Sequence, residues 1–170
     1  MKKEKMNDKG FSLVELIIVI AIMAVLVVVL APQYLKYVER SRNSTDVTNA
    51  TAIVTACQVW AADPNAGEKN EKGETTVAFK SGDSFKITVN NTTGAVAAGS
   101  GSGSTDGSGA VNSALNEAAI TLSSTKCKSK NNWTIYYIEG TVEKNGSITF
   151  TYSSDKADAS GDAFQEAMTK

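Results

Sequence analysis

One long apolar run near the N-terminus constrains this chain more than any other feature. It extends from Phe11 to Ala31, twenty-one residues whose only polar side chains belong to Ser12 and Glu15. At about 1.5 Å per residue a helix of this length covers roughly 30 Å, the thickness of a bilayer's hydrocarbon core. A segment in lipid must pair its backbone amides and carbonyls internally, so the run is predicted to be a helix that can cross a membrane.

The charges that precede the run predict its orientation. Residues 1–10 contain four lysines against one glutamate and one aspartate. The positive-inside rule therefore leaves these residues in the cytoplasm and sends the rest of the chain outward. A secretory signal peptide would have a shorter apolar core of about 7–15 residues and a small-residue cleavage site after it. An ordinary single-pass anchor explains the length and the lysines equally well.

Glu15 is the residue that an ordinary anchor does not explain. An acidic group deep in a membrane costs about 2.5–3.5 kcal/mol on insertion scales, and the run contains no basic side chain that could offset this. Cutting the chain just before Phe11 would create a positively charged α-amino group. That amine would lie in the same layer as Glu15 of a neighbouring chain, so we expect the two groups to pair between copies.

The sequence around this acid resembles a known processing signal. Residues 9–15, Lys-Gly-Phe-Ser-Leu-Val-Glu, are similar to the class III signal of type IV pilins and of the pseudopilins of type II secretion. The resemblance implies cleavage after Gly10 by a prepilin peptidase, N-methylation of the new Phe11 amine, and a role for Glu15 in assembly. It extends to Pro32-Gln33-Tyr34 and covers about the first thirty residues.

Composition argues against two other classes of protein. Lysine and arginine total 17 and aspartate and glutamate total 18; loss of residues 1–10 would leave 13 basic and 16 acidic side chains. A mildly acidic chain lacks the basic stripe of a nucleic-acid binder. The chain has no histidine, the commonest acid–base catalyst, and no nucleophile–base pair stands out. We therefore expect neither an enzyme nor a cofactor.

The helix is predicted to continue beyond the membrane as far as Asp63-Pro64. Pro32 lies inside it and should produce a kink near residues 28–32, because proline removes a backbone hydrogen bond and clashes with the preceding turn. An apolar stripe then follows at helical spacing, formed by Val47, Ala50, Val54, Cys57 and Ala61. The charged side chains are expected to lie mostly off this stripe: Lys36, Glu39, Arg40, Arg42 and Asp46. Residues 32–62 should therefore lie against a globular head.

Period-two patterns predict a β-rich head over residues 63–170. Residues 76–79 and 85–89 are expected to form a hairpin with its turn at 81–83. Residues 99–109 are rich in glycine and serine and are expected to form a flexible exposed loop, and a helix is expected over 110–122. The clearest hairpin joins residues 133–142 to 147–152.

The turn of that second hairpin has two possible forms. A two-residue turn at Asn145-Gly146 would pair Ile148 with Glu143. A three-residue loop over residues 144–146 instead pairs Val142 with Ile148 and collects the apolar residues on one face. The second register is therefore preferred.

Cysteines and acidic residues supply the remaining candidate sites. Cys57 and Cys127 could form a disulfide outside the cytoplasm, remain free thiols or act as a reactive pair, and the disulfide is favoured. Oxygen ligands for calcium could be imagined near the C-terminus, at Asp155, Asp158, Ser160 and Asp162. Their spacing does not match an EF-hand loop, so no metal site is predicted.

Taken together, the resemblance and the patterns predict an α+β pilin-like subunit. Its segments are a cleaved leader (1–10), a transmembrane and filament-core half-helix (11–31), an amphipathic half-helix (32–62) and a head (63–170). The resemblance implies a single-pass protein of the inner membrane that becomes a structural subunit of an extracellular fibre; the size of the head and its long polar loops favour a type IV pilus, with this chain as its major pilin. It implies as partners other copies of the chain, the prepilin peptidase and the assembly platform, and as pilus roles cell adhesion and twitching motility. The alternatives are a pseudopilin of a secretion or DNA-uptake machine and an anchored binding domain that does not polymerise.

Overall fold

The computed structural model describes residues 12–69, 71, 73–99, 105–121, 124–157, 159 and 161–170. Two compact units are present, one ending at Val38 and the other comprising Glu39–Lys170. The cleavage and methylation positions predicted from the sequence, Gly10 and Phe11, lie outside the described residues. We refer to the second unit as the head.

The first element, helix α1, extends from Leu13 to Ala62 and confirms the long N-terminal helix. It begins where the amide of Leu16 donates to the carbonyl of Ser12, at 3.2 Å. It runs without interruption through Pro32, so the kink expected there stays a prediction. Its end comes directly before Asp63-Pro64, since proline disfavours helical backbone at the residue before it.

In the part of the head that the structure describes, five strands and two short helices accompany α1. Their bounds are β1 Asp83–Asn90, β2 Gly94–Gly99, β3 Thr105–Asp106, α2 Ser108–Glu117, β4 Ile135–Val142, β5 Ile148–Ser154 and α3 Ala163–Thr169. The sheet order is β2-β1-β4-β5 with antiparallel neighbours, and β3 pairs in parallel with the start of β1. The α+β fold class predicted from the sequence is therefore confirmed.

The register of the last hairpin also matches its prediction. Val142 pairs with Ile148, and Ile138 pairs with Tyr152. Gly146 has φ +83°, the left-handed conformation that the three-residue loop requires of its last position. The apolar pattern and the turn chemistry were therefore sufficient to determine this register.

The first hairpin was predicted wrongly. Residues 76–80 form no strand, and β1 pairs on one side with β2 and on the other with β4. The turn into β2 is made by Asn90, whose side-chain oxygen accepts from the amides of Thr92 and Thr93 at 2.8 and 2.7 Å. A turn does form at residues 81–83, where the amide of Asp83 donates to the carbonyl of Lys80 at 2.9 Å, but the residues before it do not join the sheet.

The glycine-rich segment 99–109 is likewise more ordered at its ends than predicted. Gly99 ends β2, Thr105 and Asp106 form β3, and α2 begins at Ser108. Residues 100–104 lie outside the described residues. Helix α2 begins two residues earlier and ends five residues earlier than the predicted 110–122.

The core of the head lies between the inner face of the sheet and the second half of α1. The largest fully buried side chains include Trp133, Tyr136, Phe85, Phe164, Ile53, Ile87 and Ile138. The predicted stripe on α1 does face this core, since Ala50, Val54 and Cys57 are buried. Phe164 comes from α3, whose first turn is capped by the carboxylate of Asp162, accepting from the amide of Phe164 at 2.9 Å.

Gly140 on β4 is the tightest point in this core. It pairs with Phe85 on one side and with Phe150 on the other. A Cβ atom at residue 140 would lie 2.1 Å from Cζ of Phe85, a distance that side-chain carbons do not tolerate. The missing side chain is therefore what leaves room for the end of the Phe85 ring at this point of the strand.

Candidate assembly surface

The described part of α1 before the head carries large apolar side chains that nothing within its unit covers. Between Leu13 and Tyr37 the large hydrophobic side chains are 46–74 % exposed. By length and composition α1 is the one helix among the described residues that could cross a membrane. An apolar surface of this extent on a soluble chain marks contact with lipid or with another protein.

Glu15 lies in the first turn of this helix and has a local partner. Its Oε2 accepts a hydrogen bond from the backbone amide of Ser12 at 2.8 Å. Serine followed three residues later by glutamate is the capping-box pattern, in which the glutamate pairs with an amide that the helix itself leaves unpaired. Sequence reasoning assigned Glu15 to assembly alone and missed this capping role, although the Ser-x-x-Glu spacing was visible.

Two acidic residues of α1 were placed wrongly by the sequence analysis. Glu39 is 7 % exposed and Asp46 is fully buried, although both were expected to lie mostly off the buried face. They occupy the N-terminal continuation of the apolar stripe, since Asp46 precedes Ala50 by one turn and Glu39 precedes Asp46 by two. Heptad spacing from the buried Trp60 and Ile53 leads back to Asp46 and Glu39 and could have indicated this.

These two carboxylates hold the segment 127–133 against α1. Oε1 of Glu39 accepts from Oγ of Ser129 and from the amides of Lys130 and Asn131, at 2.7–2.8 Å. The carboxylate of Asp46 accepts from four donors: the amides of Lys128 and Ser129 at 2.7 and 2.9 Å, Nε1 of Trp133 at 2.9 Å and Sγ of Cys127 at 3.4 Å. Buried acids are therefore the anchors of a loop that carries two lysines, Lys128 and Lys130.

The hydrogen bonds outweigh burial at Glu39. Burial by itself raises the pKa of this carboxyl group, but the amides of Asn131 and Lys130 and the hydroxyl of Ser129 lower it more, to about 2. Donors aimed at a carboxylate favour its ionised form. Glu39 is therefore charged throughout the physiological range, and the anchor does not loosen with ordinary changes of pH.

The two cysteines are free and buried in the structure, so the disulfide expected from the sequence is not formed there. Cys127 lies beside Asp46, whereas Cys57 is eleven residues further along α1, about 16 Å at 1.5 Å per residue. A disulfide requires Cα atoms about 4.4–6.8 Å apart, which this placement disfavours.

Burial also makes both thiols poor nucleophiles. It raises the pKa of Cys57 to about 12, and burial together with the nearby charge of Asp46 raises the pKa of Cys127 to about 12. The thiolate is the reactive form, so neither residue is activated for chemistry.

Of the four C-terminal oxygen ligands considered for calcium, the structure describes the side chains of Asp155 and Asp162. Asp155 accepts from the amides of Thr134 and Ile135, at 2.8 and 3.1 Å. Asp162 caps α3 and accepts from the hydroxyl of Ser154 at 2.9 Å. Asp158 and Ser160 lie outside the described residues. The two described carboxylates serve as acceptors that fasten the end of β5.

Comparison with known proteins gives one finding. Residues 5–31 match the family model described as the prokaryotic N-terminal methylation motif. No curated protein and no solved structure matches the chain.

The matched residues include the predicted cleavage position, Glu15 and most of the apolar half of α1. The motif implies processing by a prepilin peptidase, N-methylation and pilus assembly, and with the apolar helix it is consistent with membrane anchoring before assembly. The family that carries it is structural. With the long N-terminal helix and the α+β head, the motif supports the conclusion that the chain is a type IV pilin-like or pseudopilin-like protein.

Proposed function

We propose that this chain is the structural subunit, the major pilin, of an extracellular type IV pilus. The observation that carries the proposal is the exposed apolar surface from Leu13 to Tyr37, preceded by the methylation motif. Lipid covers this surface before assembly, while the chain is anchored in the membrane. Outside the membrane only other copies of the same helix can cover it over its whole length.

Each segment of the chain has its own part in this process. Residues 1–10 form the cytoplasmic leader that the prepilin peptidase removes. Residues 11–31 cross the inner membrane once and later bundle with other copies in the core of the fibre. Residues 32–62 carry the helix into the head, and residues 63–170 form the surface of the pilus. None of these roles requires catalysis, a cofactor or nucleic acid.

Glu15 couples processing to assembly. Before cleavage its carboxylate caps the helix through the amide of Ser12. Cleavage after Gly10 creates a charged amine at Phe11, which N-methylation keeps basic. In the water-free core of the fibre this amine pairs with Glu15 of an adjacent copy, and the pair offsets the cost of burying the acid.

The experiment that tests the proposal is electron microscopy of producing cells, with gold-labelled antibodies against the head. We expect long surface fibres labelled along their whole length, and loss of those fibres when the gene is deleted. Long fibres that exclude the label would contradict a major pilin. Label confined to short fibres that appear only on overproduction would instead indicate a pseudopilin, which carries the same motif. Label spread over the membrane without fibres would indicate an anchored domain.

A further inference from the structure

A cavity with a basic lining lies in the head between α1 and the loop 127–133. It has a volume of about 430 Å³, and its lining residues are Ser41, Arg42, Thr45, Cys127, Lys128 and Lys130. None of these described lining residues carries a carboxylate, and three of them are cations. We call this concave surface the basic cavity.

The nearest acids on α1 fix the position of the cavity's lysines without covering their charge. The carboxylate of Asp46 accepts from the backbone amide of Lys128 at 2.7 Å, and that of Glu39 accepts from the amide of Lys130 at 2.8 Å. Both acids are buried, whereas the side chains of the two lysines are exposed. The guanidinium of Arg42 lies 3.4 Å from Glu39 and is still 38 % exposed. A ligand at this surface therefore meets cations on a fixed backbone.

A further cation lies beside the loop. Nζ of Lys156 donates to the carbonyls of Lys130 and Asn131, at 3.2 and 2.9 Å. The neighbouring acid Asp155 uses its carboxylate on the amides of Thr134 and Ile135, at 2.8 and 3.1 Å. This side of the head therefore presents four cations, of which three line the cavity.

Along α1, the basic cavity follows closely on the end of the apolar surface. Tyr34 and Tyr37 are the last large side chains of that surface together with Leu35, and each tyrosine is 67 % exposed. Tyrosine is enriched where a membrane protein passes the headgroup layer. Arg42 follows Tyr37 by five residues, about 8 Å of helix. Side chains on a helix lean toward its N-terminus, so a long cation here extends back toward that layer.

We propose that the basic cavity binds the phosphate of an anionic phospholipid headgroup on the outer side of the membrane before assembly. The inference rests on the proposed function, because it requires a chain that α1 anchors in a bilayer. Lysine and arginine are attracted to an anionic membrane surface over about a Debye length, roughly 8–10 Å. Arginine can also donate two parallel hydrogen bonds to one phosphate. The contact holds the head against the bilayer and is released when the subunit leaves the membrane.

A nucleic acid offers the same phosphate chemistry but fits this surface less well. Proteins that bind DNA through its phosphates typically make about six to ten such contacts. The basic cavity and Lys156 provide four cations in total. A membrane that already holds α1 also keeps its headgroups beside the cavity at high local concentration. The lipid headgroup is therefore the better ligand.

Acetylation of lysines in reconstituted vesicles tests the contact. The full-length chain is inserted into vesicles of phosphatidylcholine alone, or with about 30 % of the anionic lipid phosphatidylglycerol. An uncharged reagent, N-hydroxysuccinimide acetate, modifies the lysines, and peptide mass spectrometry gives the rate at each one. The rates at Lys128 and Lys130 are divided by the rate at Lys144. That exposed lysine follows β4, at the end of the strand away from the loop.

We expect the relative rates at Lys128 and Lys130 to fall at least about threefold in the anionic vesicles. A bound phosphate covers the ammonium group and favours this unreactive form. Sodium chloride at about 0.5 M should restore the rates, because it shortens the Debye length to roughly 4 Å.

A pair of arginine variants locates the contact on the protein. Arg42→Gln removes a cation from the cavity and should weaken the protection of both lysines. Arg40→Gln is the matched control, since Arg40 is exposed on the same helix but does not line the cavity, and it should keep the wild-type protection. Fluorescence of the two tryptophans, both buried in the head, checks that each variant folds.

Three results would overturn the proposal. The first is equal relative rates at Lys128 and Lys130 in the two kinds of vesicle. The second is full protection in a folded Arg42→Gln variant, which would place the contact outside the cavity. The third is protection by double-stranded DNA added to phosphatidylcholine vesicles, without any effect of phosphatidylglycerol, which would assign the cavity to a nucleic acid. A chain that does not float with the vesicles in a density gradient would instead contradict the membrane anchoring in the proposed function.

Discussion

The helical segment Leu13–Val38 and the head Glu39–Lys170 differ in the exposure of their apolar side chains. In the first, large apolar side chains from Leu13 to Tyr37 are 46–74 % exposed. In the second, the core aromatic and aliphatic side chains are buried and only Val59, Val77 and Val96 are exposed among the described large hydrophobic residues; even the acids Glu39 and Asp46 lie inside with their oxygens paired. Both segments contribute to one helix, so helix formation itself does not account for the difference.

The difference shows which part of the chain depends on other molecules. The head buries its core side chains and pairs the buried carboxylates of Glu39, Asp46 and Asp162 internally, although Asn43 Oδ1, Asn49 Nδ2 and the Tyr136 hydroxyl are buried without a hydrogen-bond partner. The segment before it leaves its apolar side chains exposed, and it carries one acid, Glu15, which we propose is neutralised by a neighbouring copy. The following predictions test this division, beginning with the largest expected effect.

Removing the acid should break assembly while leaving the head intact. We expect Glu15→Ala to lower the yield of fibres at least about a hundredfold, because the methylated amine of a neighbour would be left buried and unpaired at a cost of about 3 kcal/mol or more. Membrane insertion and leader cleavage should stay normal. Sheared-fibre yield and the mass of the processed subunit measure the two effects.

The Glu15→Gln variant distinguishes ion pairing with a neighbouring copy from capping of the helix through the Ser12 amide. Glutamine can still accept from the amide of Ser12, as capping boxes allow, but it carries no charge. If pairing is the role of Glu15, the glutamine variant should assemble as poorly as the alanine variant. Wild-type fibre yield from the glutamine variant would reduce Glu15 to a helix cap.

Asp46→Ala should destabilise the head and leave the helix before it unchanged. Its four donors would lose their acceptor while remaining mostly buried, and we expect the free energy of unfolding to fall by about 3–5 kcal/mol. Urea unfolding in detergent micelles, followed by fluorescence of Trp60 and Trp133, measures the change. Asp46→Asn keeps one acceptor oxygen and should lose less; equal stability of all three proteins would contradict the anchoring role.

Gly140→Ala tests the packing of the sheet. A Cβ 2.1 Å from Cζ of Phe85 forces the ring to move, so we expect a loss of about 3 kcal/mol, at the upper end of the range for overpacked cores. The matched control is Gly109→Ala in α2, where the Cβ would lie 3.5 Å from the side chain of Val77, an ordinary contact. That substitution should be neutral or slightly stabilising, because alanine favours helix. Equal effects of the two changes would contradict the account of Gly140.

The smallest expected effect is the pH dependence of the stability that Glu39 contributes to the head. Its pKa in the folded chain is about 2, below its ordinary value of 4.5, so the unfolded chain binds the proton more readily. The stability it contributes is therefore fully present above about pH 4.5 and is lost as pH falls toward 2. We expect this contribution to be about 2 kcal/mol, less than the whole shift implies because the loop borders solvent.

Comparison with Glu39→Gln isolates this contribution. The difference in unfolding free energy between wild type and variant should be largest at pH 5 to 7 and should shrink as the pH falls from 4.5 to 2. A difference that stays constant over this range would show that the charge of Glu39 does not support the loop.

The parts of the fold that follow from local pattern could be predicted from the sequence. The apolar run and the Asp63-Pro64 stop fix the extent of α1 to within about two residues of its observed bounds, Leu13 and Ala62. Alternation of apolar residues and the left-handed Gly146 fix the register of β4 and β5. Strand β2 was missed because its residues, Gly94–Gly99, are mostly glycine and alanine, which have weak strand preference.

The parts that depend on distant partners could not be predicted. Glu39 and Asp46 look like solvent-exposed residues on an amphipathic helix, since acids are rarely buried without a partner. Their partners lie 81 to 92 residues away in the sequence, in a loop without regular pattern. Burial of a charge depends on such donors, which only the folded chain brings together. The methylation signal, by contrast, is contiguous and is recognised from residues 5–31 alone.

The most direct test of the central claim is the intact mass of the subunit in sheared, purified fibres. The account predicts a chain that begins at N-methylated Phe11, present as the principal component of the fibre. A chain that still carries residues 1–10, or a processed chain that is recovered only as a monomer outside the membrane, would contradict assembly through the exposed apolar helix.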